Sequence, residues 1–323
     1  VGPAAKKRVL VTGASGFVGA ALLPALRAAY PEARILGTSS SADSAGFGAA
    51  DIETTSLDLL SDDSVRSLVS AFKPTDVVHL AAQSSVQGAF SSPLDVWRTN
   101  VVGVIRLAEA LRAVSPEALI MFASSGEAYG RSFQSGQALT EDAPLQPENP
   151  YARSKAAAEM ALQDLWGDTG RLVILRMFNH LGPGQDERFV AASFAAQVAR
   201  AEKGTGPATI KVGDLSAERD FGDIRDLVRA YMRILDRAEA LAPRSVFNVC
   251  SGTTRPVREI AELLVELARV RIAFEVDPAR VRPQNLPRAA GSPAALTAVT
   301  GWRPVESFRD TIAATLDYWR GNV

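Results

Sequence analysis

The chain has 323 residues, with 35 basic and 36 acidic side chains, 47% hydrophobic residues and a formal net charge of −1. That length suits one large domain or two modest ones, and the composition excludes a disordered or fibrous chain. The charge balance provides no bulk attraction to nucleic acid or an anionic membrane, and one cysteine with two histidines leaves no basis for a disulfide, a multi-Cys zinc site or a protein metal centre.

The opening residues, Val1 to Arg8, are short and polar and lead straight into an apolar run, so no secretory signal is read. No apolar stretch is long enough to span a membrane, and the expected location is cytoplasmic. Strands are expected at Arg8–Thr12, Ala33–Gly37, Thr75–Leu80, Ala118–Ala123 and Leu172–Arg176. Helices are expected at Gly16–Ala29, Asp95–Val114 and Tyr151–Trp166. The strands are short apolar runs without alternation, as in a parallel sheet covered on both faces, and their spacing gives βαβ units. After Phe178 the pattern loosens into Gly-, Pro- and charge-rich sequence around a helix at Ala191–Lys203. A helix at Ile224–Leu235 and a strand at Val246–Cys250 read as a return to the main sheet. Helix Val257–Ala268, strand Arg271–Val276, a loop Asp277–Pro293 and helix Ser307–Trp319 complete the chain.

Glycines at 13, 16 and 19 follow the first strand and open the first helix. Gly13 permits the tight turn, Gly16 a close approach of backbone to a pyrophosphate at the helix N-terminus, and Gly19 close packing of helix on sheet. The second strand ends in Gly37-Thr38-Ser39-Ser40-Ser41, without the usual ribose-binding carboxylate. The site therefore does not repel a 2′-phosphate, and the hydroxyls offer it hydrogen bonds, a mild lean to NADPH over NADH. Asp58-Leu59 is placed to face an adenine. Ser124-Ser125 ends a strand, and Tyr151 and Lys155 lie four apart on one helix face. A lysine ammonium beside a phenol favours the phenolate and makes Tyr151 a candidate general acid/base. Ser125 is placed to bond the same substrate oxygen. His79 and Cys250 read as structural, and His180 as more structural than catalytic.

This combination resembles the extended short-chain dehydrogenase/reductases that act on nucleotide sugars. His79-Leu-Ala-Ala-Gln83, Asn100-Val-Val-Gly103, Phe178-Asn-His180, Gly182-Pro-Gly-Gln185, Phe189-Val190, Arg219-Asp-Phe221, Asn248–Gly252 and Asp277–Arg280 extend the likeness, the later ones toward the GDP-hexose branch. The resemblance implies a Rossmann doubly wound α/β sheet in residues 1–178, completed by 222–252. It implies a smaller α/β substrate domain in 179–221 and 253–323, with the site in the cleft between them. The implied cofactor set is Gly13, Ser15, Gly16, Phe17, Val18, Thr38, Ser39, Asp58, Leu59, Leu80, Ala81, Ala82, Asn100, Ala123, Tyr151 and Lys155. The implied substrate set is Ser84, Ser125, Gly126, Glu127, Asn179, Arg188, Val190, Lys211, Arg219 and Arg282, with Arg288 weaker. Arg219 and Arg282 would grip nucleotide or diphosphate, Asn179 a phosphate or the sugar, and Lys211 the guanosine moiety.

The implied activity is NAD(P)H-dependent reduction of the 4-keto group of GDP-4-keto-6-deoxy-D-mannose to GDP-D-rhamnose. A 4,6-dehydratase is the nearest competing activity. It needs polar groups ahead of the Tyr-Gly pair, where this chain has Ser125-Gly126-Glu127, with the middle group gone and a carboxylate kept. A different nucleotide-sugar 4-reductase or 4-epimerase, and a non-catalytic NAD(P)-sensing protein on the same fold, also remain open. The family further implies a homodimer through the helices at Asp95–Val114 and Tyr151–Trp166.

Overall fold

In a computed structural model, residues 7–40, 51–166, 170–280 and 286–323 are described. Six strands run parallel: β1 (Arg8–Thr12), β2 (Arg34–Ser39), β3 (Glu53–Ser56), β4 (Asp76–His79), β5 (Leu119–Ser125) and β6 (Arg171–Met177). Three further strands follow, β7 (Asn179–Leu181), β8 (Thr209–Val212) and β9 (Glu218–Asp223), and then β10 (Arg244–Val249). The main sheet has seven strands in the order β10-β6-β5-β4-β1-β2-β3. Strand order reverses at β1, so the C-terminal ends of β1 and β4 form the switch point where such sheets bind ligands. The central strands are buried along almost their whole length, which explains their continuous apolar runs.

Helices α1 (Phe17–Ala29), α2 (Asp62–Phe72), α3 (Val86–Ser91), α4 (Pro93–Trp97), α5 (Gly103–Val114) and α6 (Pro150–Trp166) accompany this sheet. The helix expected at Asp95–Val114 is interrupted. A π-helical turn over Arg98–Val102 joins α4 to α5 and carries the buried Asn100. Such a turn inserts an extra residue in the helical ladder and often marks a functional site.

The chain divides into two compact units. The first takes the described residues of Val1–Gly130, Pro144–Met177 and Tyr231–Phe247; the second takes Arg131–Ala143, Phe178–Ala230 and Asn248–Val323. The second unit holds α7 (Val190–Lys203), the first half of α8 (Ile224–Arg237), α9 (Val257–Leu267), α10 (Ala294–Thr300) and α11 (Phe308–Asn322) together with β11 (Thr254–Pro256), β12 (Ala273–Val276) and β13 (Arg288–Ala289). Its core joins Phe194, Val198, Ile210, Phe221, Ile260, Leu264, Ile312 and Leu316. The stretch 179–221, expected as a loop around one helix, also contains β7, β8 and most of β9. β9 reads Glu-Arg-Asp-Phe-Gly-Asp, too polar to announce a strand, and is held by β7, β11 and β13 from elsewhere in the chain.

Candidate active site

The turn after β1 is built for a close approach. Gly13 has φ +68°, and a Cβ there would lie 2.6 Å from the Ala81 nitrogen. Gly19 is as tight, with a built Cβ 2.5 Å from Ala14 Cα. Gly16 differs: a Cβ there would meet only the Gly13 carbonyl oxygen, at 3.2 Å, so the space above it is left for a ligand. It caps α1 without a side-chain bond, and no acidic residue occupies the first turn. An uncapped helix start free of carboxylates suits a phosphate. These residues, with exposed Ser15 and half-buried Phe17 and Val18, fit the pyrophosphate of a dinucleotide.

Around that turn the candidate residues divide. Thr38 and Ser39 are buried at the end of β2, and Ser41 lies outside the described residues. Asp58 is exposed and accepts the Leu60 amide at 2.8 Å, while the Leu59 side chain belongs to the core. Leu80, Ala81 and Ala82 are half-buried at the end of β4, and the Leu80 amide donates to the Thr12 carbonyl at 3.1 Å. Asn100 has its side chain fully engaged. It accepts the Gln83 amide at 2.8 Å, donates to the Gln83 carbonyl at 3.2 Å and to Ser154 Oγ at 3.0 Å. Ser154 Oγ in turn donates to the Tyr151 carbonyl at 2.7 Å. Asn100 thus ties the loop after β4 to the helix carrying Tyr151. Ser84 is exposed in that loop.

The expected catalytic group is assembled. Asn149 accepts the Ala152 amide at 2.8 Å, and Pro150 is the first residue of α6, so Tyr151 stands in its first turn. Ser125 faces the Tyr151 hydroxyl closely enough to favour its ionised form, and its Oγ accepts the Glu127 amide at 3.2 Å. Lys155 Nζ donates to the Ala123 carbonyl at 2.7 Å and stands 6.0 Å from the Tyr151 ring centroid. The Tyr151 pKa, expected to be lowered, is raised overall in this state. Burial pushes the phenol up to about 12, Ser125 partly offsets this, and the Glu127 carboxylate adds to it. Burial also brings the Lys155 ammonium down to about 7, with the Glu159 carboxylate opposing. A buried phenol holds its proton, so Tyr151 is poised as an acid. Glu127 is half-buried and accepts Asn149 Nδ2 at 3.3 Å. Gly126 opens the 3₁₀ segment Gly126–Ser135.

His79 is structural as expected: its Nδ1 lies 2.8 Å from Thr12 Oγ1, its ring stacks on Phe122, and burial lowers its pKa to about 3. Burial pushes the Cys250 thiol up and keeps it inert.

In the second unit, Asn179 is exposed at the start of β7, and the His180 ring nitrogen Nδ1 lies 3.1 Å from the Phe178 carbonyl. Arg219 is half-buried on β9 and donates to the Glu218 carbonyl at 2.8 Å. Lys211 is exposed on β8, and half-buried Val190 starts α7. Arg188 grips its neighbour Asp186 with both nitrogens, at 2.8 and 3.2 Å, on the surface. Arg288 donates to the Gly136 carbonyl at 2.6 Å and to Thr254 Oγ1 at 3.1 Å. Arg282 lies outside the described residues.

Sequence reasoning passed over Asn149, Ser154 and the buried pair Glu159–Arg176. Glu159 follows Lys155 by four residues, so helical spacing alone placed it on the catalytic face.

Among the described residues no group of three or more His, Cys, Asp or Glu side chains is placed to hold a metal, and no helix is long and apolar enough to cross a membrane. A family model described as GDP-mannose 4,6 dehydratase matches residues 10–315. The chain is 38% identical over 320 residues, 98% of each chain, to the GDP-6-deoxy-D-mannose reductase of Pseudomonas aeruginosa. It is similar to the structure of RMD from the same organism complexed with NADPH, with TM-score 0.83 and 34% identity over 98% of this chain and 100% of that one. It is also similar to the UDP-glucose 4-epimerase of Thermus thermophilus complexed with NAD, with TM-score 0.85 and 30% identity over 98% and 100%.

Proposed function

The chain belongs to the GDP-mannose 4,6-dehydratase family of nucleotide-sugar short-chain dehydrogenase/reductases, and from that premise we propose that it reduces GDP-4-keto-6-deoxy-D-mannose to GDP-D-rhamnose with NADPH or NADH. It is an NAD(P)-dependent nucleotide-sugar oxidoreductase. The observation that carries the reductase reading over the dehydratase one is the 38% identity, over 98% of each chain, to a GDP-6-deoxy-D-mannose reductase, and a buried protonated Tyr151 is compatible with it. Reduction consumes a proton at the carbonyl oxygen; dehydration begins by taking one away.

When bound, the reduced nicotinamide supplies hydride to carbon 4. Ser125 orients the ketone oxygen by a hydrogen bond, and Tyr151 gives its proton to that oxygen as negative charge develops there. Lys155 supplies positive charge beside Tyr151, stabilising the phenolate left behind, and binds the nicotinamide ribose. Gly13, Gly16 and the uncapped start of α1 hold the pyrophosphate. We assign cofactor binding to the first unit and nucleotide-sugar recognition, through Asn179, Lys211, Arg219 and Arg282, to the second. Arginine suits that task because its fork binds phosphate oxygens bidentately.

A homodimer and a cytoplasmic location belong to the same proposal. Phe90, Leu94 and Met160 are 65%, 60% and 56% exposed on α3, α4 and α6, and Trp97 and Val102 add to this apolar surface. Light scattering checks it, and a monomer at micromolar concentration rejects it.

The deciding assay has two arms. The purified protein is given GDP-mannose alone, and separately GDP-4-keto-6-deoxy-D-mannose with NADPH or NADH. Cofactor oxidation only in the second arm, with GDP-D-rhamnose as product, is the expected result. Keto-sugar formation in the first arm makes it a dehydratase. Glu127→Gln then separates the two: a reductase tolerates it, and a dehydratase that uses Glu127 as base does not.

A further inference from the structure

Three side chains spaced four apart on α6 reach the end of β5. Tyr151 faces Ser125, Lys155 Nζ donates to the Ala123 carbonyl, and Glu159 accepts a hydrogen bond from Ser124 Oγ. The third rung is the most enclosed: Glu159 is 1% exposed and Ser124 fully buried. Arg176 lies opposite Ser124 in the β5–β6 register and closes on the same carboxylate, with Nη2 2.9 Å and Nε 3.2 Å from Oε2. Its Nη1 donates to the Tyr129 hydroxyl at 3.0 Å, and the guanidinium lies 4.9 Å from the Tyr129 ring centroid. The proposed chemistry does not use this cluster, yet it sits one helical turn beyond the catalytic lysine.

We propose that Glu159, clamped by Ser124 and Arg176, is a positioning residue that keeps Lys155 charged beside Tyr151. A buried ammonium is unstable without a nearby anion. Facing Lys155 are Tyr151 and Glu159 on its own helix, the neutral His79 on β4 across the Phe122 ring, and Arg176 on β6 behind the carboxylate. Glu127, after β5, acts on Tyr151. Of these, Glu159 is the anion that favours the Lys155 ammonium, against the burial that disfavours it. Its bonds to Ser124 on β5 and to Arg176 on β6 fix its position beside Lys155. Arg176 alone would leave two cations together; Glu159 alone would be a buried unpaired charge.

The inference rests on the reading of Lys155 as part of the relay. Activity then falls as pH rises through the Lys155 pKa, because the ammonium is the working form. Glu159→Gln removes the anion, and this alkaline limb of kcat/KM moves to lower pH by about one unit. Glu159→Asp keeps the charge and restores most of the limb. A merely structural role lowers stability and leaves the limb where it was. If Glu159→Gln does not fold, the double variant Glu159→Gln with Arg176→Met removes the Arg176 cation that would be left unpaired, and its limb also moves to lower pH. An unmoved limb in whichever variant folds overturns the proposal, as does a Glu159→Asp limb displaced as far as that of Glu159→Gln. Lys155→Met is the control: if it retains both activity and the wild-type profile, the relay reading fails instead.

Discussion

Two polar clusters, one along α6 and one around β9, hold their charges in opposite ways. Along α6, Lys155, Glu159 and Arg176 are buried and each bonds to main chain or to a buried partner. Around β9, Arg219, Arg255 and Arg288 are half-buried, bonded to carbonyls or to partly exposed carboxylates such as Glu259. In the first cluster low dielectric makes each charge expensive and therefore exactingly placed. In the second, partial exposure to solvent weakens each pairing. The proposed proton relay draws on the first arrangement, and the proposed recognition of a diphosphate by Arg219 on the second.

Substitutions break this contrast at different strengths. The largest effect is expected from Tyr151→Phe, which removes the proton donor and keeps the ring. We expect kcat to fall by about 10³-fold or more, with NADPH affinity by fluorescence titration within about twofold. A near-normal kcat removes Tyr151 from the role of acid.

Arg176→Met comes next. It leaves Glu159 buried without its partner, and denaturant unfolding is expected to lose about 3–5 kcal/mol. A loss below about 1 kcal/mol would mean that the Glu159–Arg176 pair carries no such burden. The smallest effects belong to two arginines outside the buried cluster and sharpen the comparison. Arg219→Ala is expected to raise KM for the GDP-sugar about 10- to 100-fold, with kcat within about threefold. Arg188→Ala is expected to change KM by less than about threefold, because Asp186 already occupies that guanidinium on the surface. Equal KM effects would mean that surface pairing does not distinguish the two arginines.

The legibility of the site follows the same division. Gly13, Gly16, Ser125, Tyr151 and Lys155 stood out because their chemistry depends on local spacing, a turn after a strand or four residues along a helix. The structure places them at the turn and on the helix face where that spacing puts them. Arg219 and Arg288 were legible as residue types but not as neighbours, since β9 and β13 pair across a long stretch of chain. The charge state of Tyr151 was not legible at all. Sequence suggested a phenol acidified by Lys155; burial, which depends on everything packed around α6, raises it instead.

The sequence by itself determined the parallel sheet, the glycine turn and the face of α6 that carries Tyr151 and Lys155, because short-range geometry sets periodicity, turns and helical spacing. Only the tertiary structure decided that Asn100 sits in a π-helical turn, that the polar stretch 218–223 is a strand and that Glu159 and Arg176 form a buried pair beside the lysine. Each of those depends on partners far away in the chain and on exclusion of water, which no local pattern records.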